Sequence, residues 1–298
     1  MRVFVLGGTG SIGAAVVREL VARGHEVFGL ARSEASAAKL GEFGATAIAG
    51  NIAFPAPSSP ESWIGELAGI DAVIHAACDF STDMEATERR LLDALLPALA
   101  RQANKPRFIY TGGGWLFGAT GDEVATEQTP FNPLSAFAWM VPHLQRVLAA
   151  PGIDGIVIHP AMVYTPRGGV FHRVFREARE RDAVRVVDSE AVRWPLVHGE
   201  DLADLYALAL ERAPAGSSYI GAAIAGLPVG HIARAFAKRF DTSHQDPRII
   251  STDAIAAELG EWARGYALDQ RLNGAKAQRE LGWRPKHLDP ESEIATLA

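Results

Sequence analysis

The chain has 298 residues, 48% of them hydrophobic, and a formal net charge of −6. That length suits one large α/β domain with a smaller lobe, and the apolar share is ample for a core. The acidic balance, without a Lys/Arg run that could follow a phosphate backbone, excludes nucleic acid as the expected partner; no stretch approaches the roughly 18 apolar residues of a membrane span; and Cys78 is the only cysteine, so no disulfide forms within the chain. No signal-peptide layout precedes the first strand, so the expected location is cytoplasmic. No metal site is expected.

Val3-Phe4-Val5-Leu6 is an unbroken apolar run and reads as a strand buried on both faces of a parallel sheet. Gly7, Gly8 and Gly10 then mark a tight turn. Ser11 can cap a helix, along which Ile12, Val16 and Leu20 recur at helical spacing. In this setting Gly7, Gly10 and Gly13 let backbone N–H groups approach a pyrophosphate, and the helix N-terminus favours its charge. Gly7, Gly10, Ser11, Ile12 and Gly13 are therefore expected to hold a dinucleotide. An ordinary βα turn would leave the three spaced glycines unexplained.

The GxxGxxG spacing within Gly7-Gly8-Thr9-Gly10-Ser11-Ile12-Gly13 resembles the short-chain dehydrogenase/reductase superfamily, in its extended branch of sugar-nucleotide epimerases and dehydratases. The resemblance implies an α/β fold: a doubly wound parallel (Rossmann) sheet with the nucleotide at its switch point, and a smaller C-terminal substrate lobe. Residues 1–166 are expected to bind NAD(P). Residues 167–298 are expected to form mainly the substrate lobe, with the 196–212 segment returning to the large domain.

His25 to Ala31 is the second strand, and its end should lie beside the adenosine ribose. A free 2′-hydroxyl usually meets an acid there, but this chain offers Ala31, then Arg32 and Ser33. Arg32 can hold a 2′-phosphate through charge-assisted bonds, so NADP is preferred over NAD; the alternative is a solvated loop arginine. Thr46 to Ala49 is a third strand before Gly50-Asn51-Ile52. The family carries an Asp-Ile or Asp-Leu pair at this point that contacts adenine; the Asn51 amide oxygen can still accept, or the residue is simply a turn asparagine. Phe54 to Pro60 is a proline-rich loop. Asp71 to Ala77 resembles the family's VIHxAA strand, with Ala76 and Ala77 small enough for a cofactor to lie close and His75 packed. Met84 to Ala103 reads as a long helix with Leu91, Leu92, Leu95, Leu96 and Leu99 along one stripe, kinked at Pro97. In the family this helix often pairs with its twin, so a homodimer is one expectation and plain core packing the other.

Arg107 to Thr111 is the fifth strand and leads into Gly112-Gly113-Gly114-Trp115-Leu116-Phe117-Gly118. Matching Phe117-Gly118 to the family's Tyr-Gly ending puts Gly113 where the catalytic Ser or Thr sits, and Thr111 is the nearest hydroxyl. In the family's Tyr-x-x-x-Lys element, Phe137 falls on Tyr and Val141 on Lys. Neither exchanges a proton. A shift of register offers Trp139 and His143, whose imidazole titrates near neutrality. The Ala138-Trp139 to His143 layout resembles an atypical branch that reads AWRPxHE, although Met140 and Leu144 depart from it. Pro142 disfavours helical geometry at Val141.

Gly155 to Ile158 is the sixth strand. His159-Pro160-Ala161-Met162-Val163-Tyr164-Thr165-Pro166 resembles the family's Arg-Pro-Gly-x-Val-Tyr-Gly-Pro, whose backbone near Pro160 and Met162 would meet the nicotinamide. Tyr164 could bring a phenol to the site, and the alternative is that it packs in the core. Arg167-Gly168-Gly169 opens the lobe, Val170 to Arg181 reads as a helix and Val184 to Val187 as a strand. Arg193 and Trp194 are expected to line the substrate pocket, and Asp201 is expected to be structural. Ala277-Gln278-Arg279-Glu280-Leu281-Gly282-Trp283-Arg284-Pro285 resembles the family's closing Ala-x-x-x-Leu-Gly-Trp-x-Pro.

These motifs imply an atypical NADP-dependent oxidoreductase acting on a small carbonyl or enone, with His143, Tyr164 and Thr111 as candidate catalytic groups or a water as acid. The alternatives are a non-catalytic NADP-binding sensor or scaffold and, third, a sugar-nucleotide epimerase or dehydratase.

Overall fold

The first strand, β1 (Arg2–Leu6), sends Val3 and Val5 into one apolar core and Phe4 and Leu6 into the other. Such a strand needs a layer on each face, and the computed structural model, which describes residues 1–54, 62–78, 83–165, 168–181 and 183–297, supplies both. The chain continues through α1 (Gly13–Ala22), β2 (Glu26–Ala31), α2 (Glu34–Glu42), β3 (Thr46–Ala49), β4 (Ala72–His75), α3 (Met84–Ala100), β5 (Arg107–Thr111), α4 (Met140–Leu148) and β6 (Asp154–Pro160). The lobe and the returning segments follow as β7 (Met162–Thr165), β8 (Gly168–Gly169), α5 (Phe171–Glu180), β9 (Arg185–Val187), β10 (Arg193–His198), α6 (Gly199–Arg212), β11 (Ser217–Gly221), β12 (Ile224–Pro228), α7 (Val229–Phe240), β13 (Arg248–Ile250), α8 (Thr252–Leu259), α9 (Ala275–Leu281) and α10 (Pro290–Ala295).

Seven strands make one sheet in the order β11-β6-β5-β4-β1-β2-β3, and every neighbouring pair is parallel. Strand order reverses at β1, which pairs with β2 on one side and β4 on the other. The crevice beyond the ends of β1 and β4 is the switch point at which such sheets bind ligands. The fold is thus the doubly wound parallel sheet read from the sequence.

α6 packs against α1, tied by Arg23, which bonds Glu19 at 2.7 Å, Glu211 at 3.1 Å and Asp204. β11, beyond the expected return at 196–212, becomes the sheet's edge strand. A second sheet, β12-β10-β7-β8, and the pair β13-β9 carry the lobe, whose core holds Phe171, Trp194 and Phe236.

Two local expectations change. α3, with Pro97 inside it, ends at Ala100 and not at Ala103. Pro142 does not break the helical geometry of Val141: α4 begins at Met140, so Pro142 lies in the first turn, where an N–H has no intrahelical acceptor to lose. Most of the proline-rich loop, 55–60, and Pro166 and Arg167 lie outside the described residues.

Candidate active site

β1 ends at buried Leu6 and the chain turns at Gly7, whose φ of +80° favours glycine. A Cβ on Gly7 would stand 2.7 Å from the carbonyl oxygen of Ala76 at the end of β4. A Cβ on Gly13 would stand 2.1 Å from the Gly7 carbonyl oxygen. These two glycines seat the helix on the sheet. Gly10 differs, because its Cβ would meet only the Gly7 oxygen, at 3.3 Å. α1 takes Ile12 as its N-cap with no side-chain cap, so Ser11 does not cap it. The Ala14 and Ala15 N–H groups donate to the carbonyl oxygens of Gly10 and Ile12, which leaves those of Ser11, Ile12 and Gly13 for an anion, and Gly10, Ser11 and Ile12 line the cavity beside them. This uncapped cradle fits a dinucleotide pyrophosphate.

One cavity of about 660 Å³ starts at this turn and ends in the lobe, a volume within the usual range for ligand sites. Arg32, Ser36, Asn51 and Ile52 line its outer end. The Asn51 side-chain oxygen accepts from the Ala53 N–H at 3.0 Å, as a turn asparagine does. Ser33 caps α2 instead of lining the wall, accepting from the Ser36 N–H at 3.2 Å. Ala76, Ala77, Pro160 and Met162 line the middle. Of the cofactor residues read from the sequence, only Gly13 and Ser33 lie off the wall.

The three candidate catalytic groups are not brought together. Thr111 is on the wall, with its hydroxyl 2.6 Å from the Tyr206 hydroxyl. His143 is buried off the wall, edge-on to Trp139 at 5.8 Å. Burial lowers its pKa against an opposing pull from Glu88, which leaves the ring neutral near pH 7. Tyr164 is turned into the lobe core, 4.7 Å from Phe171, and its hydroxyl donates to the His287 carbonyl at 3.3 Å. Burial first, then Glu293 and Asp201, push that phenol well above the usual tyrosine range. Gly113 lines the cavity with nothing within 4 Å of its Cβ position, and Phe137 packs 5.6 Å from Trp115.

A different titratable cluster reaches the wall. The His75 Nε2 lies 3.0 Å from both carboxylate oxygens of Glu88, and Tyr110 hydrogen-bonds the same carboxylate. Burial, then the Glu88 charge, hold the Tyr110 phenol well above its ordinary pKa. All three residues line the cavity. Glu88 carried an unused signal: it precedes Leu91 and Leu92 at helical spacing, which puts a carboxylate on the apolar stripe of α3.

His159 supports the loop between the two ends. Its ring sits 5.4 Å from Phe117 and 5.6 Å from Phe131 and hydrogen-bonds the Gly113 backbone. Its Nδ1 has no hydrogen-bond partner among the described residues, and burial lowers its pKa to about 4.

Arg193 and Trp194 do not line the cavity. Arg193 bonds Asp269 at 2.6 Å and Asp122 at 3.0 Å, and the buried Trp194 donates to the Tyr266 carbonyl at 3.0 Å. Asp201 accepts the N–H groups of Lys286 and His287, both at 2.9 Å, and the Trp283 indole donates to its carbonyl at 2.8 Å. Those bonds fasten the closing motif onto α6. Away from the cavity, His198, Glu200 and His287 bring potential ligand atoms within 4.8 Å of one another. The two imidazoles stack at 3.8 Å and 20°, so their in-plane lone pairs run side by side instead of converging on one ion.

Residues 3–221 match the family model described as the NAD dependent epimerase/dehydratase family. An uncharacterized protein of Schizosaccharomyces pombe is 30% identical over 100% of this chain and 99% of its own length. A Stigmatella aurantiaca protein, the 4-hydroxy-2-methyl-3-oxo-4-farnesyl-3,4-dihydroquinoline-1-oxide ketoreductase, is 28% identical over 95% of this chain and 92% of its own. Among solved structures, a dTDP-glucose 4,6-dehydratase double mutant from Streptomyces venezuelae, with NAD bound, superposes with a TM-score of 0.83 at 20% identity, covering 99% of this chain and 95% of that one.

Proposed function

The chain belongs to the NAD dependent epimerase/dehydratase family, and on that premise we propose that it is an NADP(H)-dependent oxidoreductase that reduces a small carbonyl or enone without the family's Ser, Tyr and Lys. The observation that carries the reading is the continuity of one cavity, from the uncapped glycine turn, past the His75–Glu88–Tyr110 cluster, to the lobe. A ketoreductase among the relatives that span nearly the whole chain supports it.

When bound, the dinucleotide supplies a hydride for a carbonyl carbon. The chain's own residues do the rest. Gly10, Ser11 and Ile12 hold the pyrophosphate, and Arg32 with Ser36 holds the 2′-phosphate, which favours NADP over NAD. Pro160 and Met162 back the nicotinamide position. Thr111 gives the carbonyl oxygen a hydroxyl partner, itself held by Tyr206. The proton comes from the His75–Glu88–Tyr110 cluster, because His143 and Tyr164 are off the wall. The large sheet thus serves the cofactor and the lobe the substrate.

The test follows NADPH absorbance over a panel of carbonyls. Turnover is expected, and Glu88→Gln should lower the rate by about 10²–10⁴-fold, the usual contribution of a positioned acid or base, without changing NADPH affinity. A second reading, a non-catalytic NADP-binding protein, is favoured by Gly113, Phe137 and Val141 at the family's catalytic positions. NADPH binding without turnover of any carbonyl would give that reading the lead. A sugar-nucleotide epimerase ranks third, because its chemistry leans most on the missing Tyr.

A further inference from the structure

The lobe end of the cavity is built from rings. Trp115 stands at its centre, with Phe137 5.6 Å away at 43°, Trp262 stacked 6.3 Å away at 26°, and Tyr266 edge-on at 5.8 Å. Trp139 and Met162 extend the wall. The arrangement is held from behind. Gly265 lets Trp115 approach, since a Cβ there would lie 2.5 Å from its indole, and Trp194 donates to the Tyr266 carbonyl. The Trp139 N–H is already engaged, donating to the Ala136 carbonyl at 2.9 Å, so what this side chain offers a ligand is a ring.

Charge is distributed the other way. Among the described residues that line the cavity, Arg32 is the only Lys or Arg, and it belongs to the opposite end, with Ser36 and Asn51. A nucleotide sugar would bring a diphosphate into this box, and a buried charge without a paired cation is strongly disfavoured. A flat ring, by contrast, gains from aromatic walls beyond simple area burial.

Resting on the oxidoreductase reading above, we propose that the lobe end takes an uncharged, flat, largely apolar carbonyl, an aryl ketone or a quinone, and excludes nucleotide sugars. For a ketone, the carbonyl carbon gains a hydride from the reduced cofactor and the oxygen gains a proton, leaving the alcohol and oxidised cofactor.

The test is binding, independent of turnover. Calorimetry on the NADP⁺-loaded protein is run with 1-acetonaphthone and, separately, with UDP-glucose. The ketone should bind and UDP-glucose should give no heat. Trp262→Ala should weaken the ketone about tenfold, as expected for a lost ring stack, with NADP⁺ affinity unchanged. Gly113→Glu is the second variant: its side chain enters open space, and a carboxylate there should abolish ketone binding. Binding of UDP-glucose, no binding of the ketone, or ketone affinity untouched by both variants would overturn the proposal. If NADP⁺ itself does not bind, the oxidoreductase reading fails separately, and the same titrations on the cofactor-free protein still decide what the box takes.

Discussion

The two ends of the cavity are built on opposite plans. The glycine-turn end comes from short pieces at strand ends, within residues 7–12, 50–52 and 75–77 and at Arg32 and Ser36, and is shaped largely by backbone and missing side chains. The lobe end draws on 110–116, 137–140, 160–163 and 262–270 and works through large rings. Backbone recognition suits a pyrophosphate, which is the same in every dinucleotide.

The sharpest way to break this contrast lies within the glycine turn. Gly10→Val should lower NADP affinity by about 100-fold or more, ~3 kcal/mol, and disturb the melting temperature less than Gly13→Ala, because its Cβ would meet only the Gly7 oxygen, at 3.3 Å. Gly13→Ala should instead lower the melting temperature, because its Cβ meets the Gly7 carbonyl oxygen at 2.1 Å. Calorimetry and thermal unfolding of the two variants separate the roles; normal NADP binding by Gly10→Val would refute the placement.

A second prediction concerns the seam between the ends, where His159 supports the Gly113 loop. Its pKa is about 4 in the folded chain against 6.5 for the free side chain. The unfolded chain binds the proton more readily, so the stability is fully present above pH 6.5 and is lost as pH falls toward 4. The total is about 3 kcal/mol. Urea unfolding at neutral pH and near pH 4.5 should show this loss, and His159→Phe should remove that part of it. An identical pH dependence in the variant would show that the seam does not sense protons through His159.

The smallest expected effect sharpens the nucleotide end. Arg32→Ala should cost NADP about 1.5–3 kcal/mol, the worth of a charge-assisted contact, and cost NAD far less. Tighter binding of NAD than NADP by the native chain, or equal losses for both, would remove Arg32 from the 2′-phosphate.

Much of the fold was legible because its signals are local. The strand Arg107–Thr111 stands where the apolar run placed it, and Val3 to Leu6 announced burial on both faces. The glycine spacing showed the tight turn between β1 and α1, because such a turn needs only neighbouring residues. Helix termini were read less well. Ser11 has the chemistry of a cap and does not cap, and Pro142 has the chemistry of a breaker and sits harmlessly in a first turn.

By itself, the sequence determined the doubly wound sheet and the glycine turn after its first strand, and through the resemblance it set Gly113, Phe137 and Val141 against the family's Ser, Tyr and Lys. The sheet and the turn follow from apolar runs and from absent Cβ atoms, which act along the chain. Only the tertiary structure decided which titratable groups reach the cavity. Tyr164 and His143 have suitable side chains, but their positions on β7 and α4 place them off the wall. Glu88, Tyr110 and His75 come from three different elements, and β4–β5 pairing beneath α3 brings them together. The same holds for Trp115 and Trp262, whose stacking depends on a lobe folding back over the sheet. Contacts between residues so far apart in the chain leave no periodic trace, because packing between elements, and not spacing along them, sets which side chains meet.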